Sequence, residues 1–236
     1  MKGISIKFVD KMGDDFRVFE AAKATLGGEN ESEFKRGETD PTRLINFLAR
    51  EKHVTPFCHP QVTFECEAPI AIARQLGKHQ VGFRWNERSM RYKDSLIDVF
   101  VPDMFRGRPE KLHDGSADVD ISKNMTSINR LIIREEGEQL VTYTVEDLYY
   151  DAISDAVEKY EQLLDAGLAP EQARFVLPQG MITRWIWTGS LYGWFEVYRQ
   201  RSSEHAQYEV REFARLLDIE MSQLFPIAWQ ALKENS

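Results

Sequence analysis

Residues 61–92 read QVTFECEAPIAIARQLGKHQVGFRWNERSMRY. The opening seven alternate, with Val62, Phe64 and Cys66 on one side of an extended chain and Thr63, Glu65 and Glu67 on the other. Apolar and polar residues at period two predict a strand with one face buried. Pro69 suits the first turn of a helix, where its missing N–H is not needed, and the spacing predicts a helix through residues 71–80. On such a helix Gln75 and His79 share a face, and Arg74 and Lys78 share the adjacent one. Beyond it the chain turns cationic: Arg74, Lys78, Arg84, Arg88 and Arg91 surround His79 and Ser89, in a sequence whose net charge is −8. Crowded cations repel one another unless an anion sits among them. Guanidinium forks grip phosphate oxygens two at a time, and Lys adds a compact point charge. If residues 86–92 are extended, Ser89 and Arg91 point the same way, a pairing able to grip a phosphate monoester. The stretch predicts a small phosphate-bearing ligand; a solvated basic turn is the plainer alternative.

The rest of the chain fits this reading. Its 236 residues, 42% hydrophobic and 29% charged, suffice for one large domain or two small ones of ordinary globular composition. No apolar run is long enough to span a bilayer, and the opening MKGISIKFVDKMGDDF reaches acidic residues too soon for a signal peptide. Two cysteines, Cys58 and Cys66, cannot form a disulfide framework, which predicts a reducing, cytoplasmic location. The acidic balance argues against nucleic-acid binding. His53, His59 and His79 match no metal-ligand spacing, so no metal site is predicted. Cys58 and His59 are adjacent and on an extended segment face opposite ways, which argues against a thiolate nucleophile with its base. Gly77 and Gly82 flank His79 without forming a dinucleotide-binding glycine pattern.

Residues 28–42 read as a charged surface loop, with Asp40 or Thr42 capping a short helix that carries Leu44, Ile45, Phe47 and Leu48. Residues 103–125 read as an irregular excursion. A helix is predicted over about 145–166, capped by Thr144 and stopped by Gly167 and Pro170. Its inner stripe is Leu148, Ala152, Ala156, Val157, Tyr160, Leu163 and Leu164. Residues 171–177 suggest a short helix, and the aromatic segment 183–200 a buried one. A last long helix starts at Ser202 or Ser203 with Ala206, Val210, Phe213, Ala214 and Leu217 inward, which leaves Arg201 at a junction between two helices. Few strands and many helices give an α+β class.

The cationic stretch resembles the signature of flavin-dependent thymidylate synthases: Arg-His-Arg, seven residues, Ser, one residue, Arg-Tyr. The residues FVDKMGDDFRVFEAAKATL near the start, His53-Val54-Thr55-Pro56-Phe57, and the late ARFVLPQGMITRWIWTGS and RQRSSEHAQYEVREFA are similar to further segments of that family. The resemblance runs over nearly the whole chain, apart from about 103–140, and implies a single domain over 1–236 with helices packed on a mostly antiparallel sheet. There are departures. Lys78 and Gln80 stand where the two arginines are expected, one extra residue precedes Ser89, and Ser190, Tyr192 and Glu196 replace the usual Asn and Arg positions of the aromatic segment.

The resemblance implies reductive methylation of dUMP to dTMP, with methylenetetrahydrofolate and NADPH as co-substrates, FAD as cofactor and no cysteine nucleophile. It places Gln75, Lys78, Glu87, Ser89, Arg91, Arg174 and Arg201 at the nucleotide, Ser89 and Arg91 on its phosphate. It places Thr55, Lys78, His79, Gln80, Ser190, Tyr192, Glu196 and His205 along the flavin, with Arg84 compensating part of the missing charge. Arg201 is the expected catalytic residue, favouring loss of the uracil N3 proton; His205 orients it or touches the flavin. A helix-end arginine serving only carbonyl dipoles is the structural alternative for Arg201. A homotetramer with shared active sites is implied as well. The competing functions are a cysteine-dependent synthase and a nucleotide-binding or regulatory homologue that has lost flavin chemistry.

Overall fold

The computed structural model describes residues 3–24, 35–89, 97–111, 115–134 and 137–236. The chain divides into two compact units interleaved in sequence: Ile4–Ala68, Ile72–Glu87 and Thr183–Ser236 form one, while Met1–Gly3, Pro69–Ala71 and Arg88–Ile182 form the other.

The first unit is built on a four-stranded sheet in the order β1 (Ser5–Met12), β2 (Gln61–Pro69), β8 (Ile182–Ser190) and β3 (Phe83–Glu87). The β1–β2 and β3–β8 pairs are antiparallel. Strand β2 carries the expected alternation, with Val62, Phe64 and Cys66 buried. Residues 182–190 depart from the expected helix: they form a strand in which Thr183, Trp185 and Trp187 are buried at period two. Indole is equally at home in helix and strand, so aromatic density alone does not separate the two. The alternation with Arg184, Ile186 and Thr188 does.

The buried side of this sheet is aromatic. Trp85 stacks on Trp185 with centroids 4.3 Å apart, and Phe83 packs on Trp187 at 4.8 Å and on Trp194 at 4.9 Å. Gly189 lies under the Phe83 ring so closely that a Cβ there would collide with it. Only glycine lets the ring lie flat on the strand.

Helices α1 (Asp15–Lys23), α2 (Thr42–Arg50), α6 (Leu191–Arg201), α7 (Tyr208–Leu224) and α8 (Pro226–Glu234) belong to the same unit. The Asp40 carboxylate accepts from the backbone N–H of Thr42 (3.0 Å) and from its hydroxyl (2.6 Å), but the N-cap position of α2 is Pro41, which makes no side-chain cap, so neither Asp40 nor Thr42 is the cap expected. Helix α7 begins at Tyr208, later than Ser202 or Ser203, because the Ser202 N–H still closes α6 on the Tyr198 carbonyl (2.8 Å) and a turn through Ala206 follows. Val210, Phe213, Ala214 and Leu217 are buried as expected. Helix α8 is not among the elements the sequence predicts. Its first turn is held by buried Asp15, which accepts from the N–H groups of Ile227 (3.0 Å) and Ala228 (2.8 Å).

Helix α3 (Ile70–Leu76) is shorter than the predicted 71–80. Pro69 ends β2 instead of opening the helix, and the N–H groups of Ile70 and Ala71 donate to the carbonyls of Met181 (2.9 Å) and Gln179 (3.1 Å). At its far end the His79 N–H donates to the Leu76 carbonyl (3.0 Å), a tighter turn than an α-helix allows. Lys78, His79 and Gln80 therefore lie past the helix, and the face-sharing expected of Gln75 with His79 and of Arg74 with Lys78 does not hold.

The other unit holds α4 (Val145–Asp165), α5 (Pro170–Ala173), the hairpin β6–β7 (Met125–Arg134 and Gly137–Thr144) and the short pair β4–β5 (Arg106–Gly107 and Ala117–Asp120). The excursion at 103–125 thus contains a small ladder, fastened by an Arg106–Asp118 ion pair at 2.9 Å. Thr144 and Asp147 form a reciprocal capping box on α4, and Gly167 at φ +87° follows its end. Of the expected inner stripe only Tyr160 is buried; Ala152 is exposed.

Candidate active site

Arg201, the last residue of α6, is held by two acceptors, one in the last turn of α3 and one in the turn that follows it. Its Nε donates to Nε2 of His79 (2.9 Å) and its Nη2 to the carbonyl of Gln75 (3.1 Å). These bonds use two of the five guanidinium N–H donors and fix the plane of the fork. Because Nε2 accepts, the proton of the neutral imidazole sits on Nδ1. Burial pushes the His79 pKa down from 6.5 to about 4, and the Arg201 charge pushes the same way, against a smaller opposing pull from Glu196. At neutral pH the pair is a cation bonded to a neutral ring. Burial also lowers the Arg201 pKa, yet a guanidinium keeps its proton in a protein.

Gln75 connects this pair to α7. Its side-chain amide donates to Gln207 Oε1, and Gln207 Nε2 donates to Glu209 (2.9 Å). Gln75, His79 and Arg201 thus converge. Lys78, Gln80 and His205 are exposed, and the structure shows no bond from His205 to Arg201; the imidazole that orients Arg201 belongs to His79. Thr55 is exposed at the start of the 3-10 turn Thr55–Cys58. Arg84 is exposed and donates to the Phe83 carbonyl (2.7 Å).

The three departures in the aromatic segment have defined places. Ser190 is buried and caps α6 by accepting from the Gly193 N–H (3.1 Å). Glu196 accepts twice from Arg199 (3.1 and 2.7 Å), and this pairing holds its carboxyl below the usual range despite burial. Burial and the neighbouring Glu196 raise the Tyr192 phenol. Tyr192, Glu196 and Arg199 line a cavity of about 180 Å³ together with Lys52, Phe57 and Leu232.

Glu87 ends β3 and is gripped at both oxygens. The Thr183 hydroxyl donates to Oε1 (2.7 Å) and the Trp85 indole N–H to Oε2 (3.4 Å). Neither donor is singled out by the sequence; the only signal for Thr183 is its period-two spacing with Trp185 and Trp187. In the other unit Ser89 is exposed, and Arg174 Nε donates to the Glu171 carbonyl (3.3 Å). Arg91 lies outside the described residues.

Burial pushes the thiols of Cys58 and Cys66 up, Cys66 strongly. Both stay protonated at neutral pH, the wrong state for a nucleophile. Among the described residues, no cluster of three His, Cys, Asp or Glu side chains is arranged to hold a metal ion, and no helix is long and apolar enough to cross a membrane.

The model of the family described as thymidylate synthase complementing protein matches residues 7–227. The flavin-dependent thymidylate synthase of Thermosipho melanesiensis is 32% identical over 209 residues, covering 89% of this chain and 81% of the relative. That of Kosmotoga olearia is 31% identical over 230 residues, covering 96% and 88%. Among solved structures, the UMP/dUMP methylase PolB from Streptomyces cacaoi bound with 5-Br dUMP superposes with a TM-score of 0.76 at 24% identity, over 98% of this chain and 95% of that one. With a family match across most of the chain and relatives above 30% identity along most of both lengths, the chain belongs to the flavin-dependent thymidylate synthase family.

Proposed function

We propose that the protein methylates dUMP to dTMP as a flavin-dependent thymidylate synthase, with FAD as cofactor and methylenetetrahydrofolate and NADPH as co-substrates. The observation that carries the reading is the guanidinium of Arg201, oriented by a neutral imidazole and a carbonyl and still holding N–H donors in reserve. Placed beside the uracil carbonyl, that charge favours loss of the N3 proton and enriches C5 in electron density. At about 4 Å and an effective dielectric near 20, it is worth roughly 4 kcal/mol. A dipole-capping arginine would contribute less than about 1 kcal/mol and needs no fixed fork.

The residues present fit a flavin. Lys78 and Arg84 offer exposed positive charge of the kind a diphosphate takes, and neutral His79 can pack against an aromatic ring without the cost of desolvating a cation. Thr55, Lys78, His79 and Gln80 would hold the cofactor, with Ser190, Tyr192, Glu196 and His205 at the remaining family positions. When bound, the flavin supplies the reducing equivalents and mediates one-carbon transfer. Ser89, Arg91 and Arg174 would take the nucleotide phosphate, with Gln75, Lys78 and Glu87 positioning the rest of dUMP. One family model runs through both compact units, which supports a single functional domain over 1–236. By the same reading the enzyme is a cytoplasmic homotetramer with shared active sites, so dilution lowers specific activity and bound flavin together.

The test is direct. Purified protein shows the flavin absorbance bands and forms dTMP from dUMP, methylenetetrahydrofolate and NADPH, and a Cys58→Ser, Cys66→Ser double variant keeps that turnover. Colourless protein that forms no dTMP with added FAD refutes the reading.

A further inference from the structure

We infer that Thr183 is a positioning residue for substrate binding, acting through Glu87; the inference rests on the reading of Glu87 as a nucleotide contact. In the β3–β8 pair Phe83 lies opposite Gly189, Trp85 opposite Trp187 and Glu87 opposite Trp185. Side chains alternate along a strand, so Glu87 shares the buried side of the sheet with Phe83 and Trp85 and with Thr183, Trp185 and Trp187 of β8. The register thus carries a carboxylate to the end of an aromatic row, where the indoles offer its terminal oxygens few partners.

Thr183 supplies one. It is only 6% exposed, and its hydroxyl reaches Oε1 of Glu87 at 2.7 Å, while the Trp85 indole holds Oε2 at 3.4 Å. Trp85 is itself fixed by its stack on Trp185, with 15° between the rings. One donor on each oxygen sets both the torsion and the plane of the carboxylate. A carboxylate has about four acceptor sites, so two remain for a ligand, and Glu87 is exposed enough to offer them. What those sites recognise is a donor, a hydroxyl or N–H of the nucleotide, since a phosphate would be repelled. A strand-to-strand hydrogen bond made only for stability would leave this recognition untouched.

The experiment is a double-mutant cycle on dUMP affinity, measured by calorimetry with the purified protein: Thr183→Val, Glu87→Ala and the two combined. Glu87→Ala is expected to weaken dUMP binding, Thr183→Val to weaken it about tenfold, and the double variant to bind no worse than Glu87→Ala alone. Thr183→Ser, which keeps the hydroxyl, restores binding to within about twofold of the parent. Should Thr183→Val not fold, Thr183→Ala takes its place in the cycle. If Glu87→Ala weakens binding while Thr183→Val does not, or the two losses multiply, the positioning role is overturned. If Glu87→Ala itself leaves dUMP affinity unchanged, the underlying placement of Glu87 at the nucleotide is what fails.

Discussion

Acidifying the protein tests whether His79 is a neutral acceptor for Arg201. In the folded state its pKa is about 4 against 6.5 for a free imidazole. Between those values the unfolded chain takes up a proton that the folded chain refuses. Stability therefore is complete above pH 6.5 and falls as the pH drops toward 4, the direction expected of a histidine held neutral. The interval is about 2.5 pH units, and at 1.36 kcal/mol per unit it corresponds to an upper bound of roughly 3.4 kcal/mol. His79 is only partly buried, so solvent screening reduces the expected loss to about 1–2 kcal/mol. Protonation would also remove the acceptor at Nε2 and set a second cation against the guanidinium, freeing Arg201 from its orientation.

The measurement is denaturant unfolding of the parent and a His79→Gln variant at pH 7.5 and pH 5. Gln can accept from Arg201 through its carbonyl and does not titrate, so the variant should lose less stability on acidification than the parent. Proton NMR of the imidazole ring gives the midpoint directly. A His79 midpoint at or above 6.5, or an identical loss of stability in both proteins, refutes the assignment of a buried neutral ring.

Arg201→Lys retains the charge but not the fork held by His79 and Gln75, and kcat should fall about 100-fold, measured as dTMP formed at saturating dUMP; near-parental turnover returns Arg201 to a dipole-capping role. Ser190→Ala removes the α6 cap and should lower unfolding free energy by about 1 kcal/mol; flavin affinity measured on the same variant falls as well only if the hydroxyl also serves the cofactor. Gly189→Ala forces a methyl into the Phe83 ring and should destabilise the protein by about 1–3 kcal/mol, read as a lowered denaturant midpoint, whereas a midpoint within error of the parent's shows that the ring moves freely aside.

Local rules carried much of the fold. The period of residues 61–67, the Thr144 capping box and Gly167 after α4 are written in neighbouring residues, and the structure has them where the pattern requires. The errors lie where distant partners decide. Pro69 could open a helix or end a strand, and the choice falls to strand because the N–H groups just beyond it find carbonyls at Met181 and Gln179. Residues 182–190 contain enough tryptophan for a buried helix. Their strand state is favoured by β3, which stacks Trp85 on Trp185 and lays Phe83 over Gly189. Helix α8 is short; Pro226 in its first turn is a local start signal, but the acceptor of its first N–H groups, Asp15, lies 212 residues from Ile227 and is not legible locally.

The site shows the same division more sharply. Composition makes the cationic stretch a candidate anion site, because clustered guanidinium groups repel one another unless an anion lies among them. Composition does not distinguish a cation that binds from one that is held. Arg201 belongs to a different segment, 122 residues from His79, and only folding shows that the histidine inside the basic stretch is spent on it. The histidine nearest to Arg201 in sequence, His205, is exposed and bonds elsewhere through its backbone. Proximity in sequence offers His205 as one candidate to orient Arg201, and hydrogen-bond geometry gives that role to His79. Lys78 and Gln80, on either side of His79, are exposed, and the single acceptor nitrogen of the ring goes to Arg201.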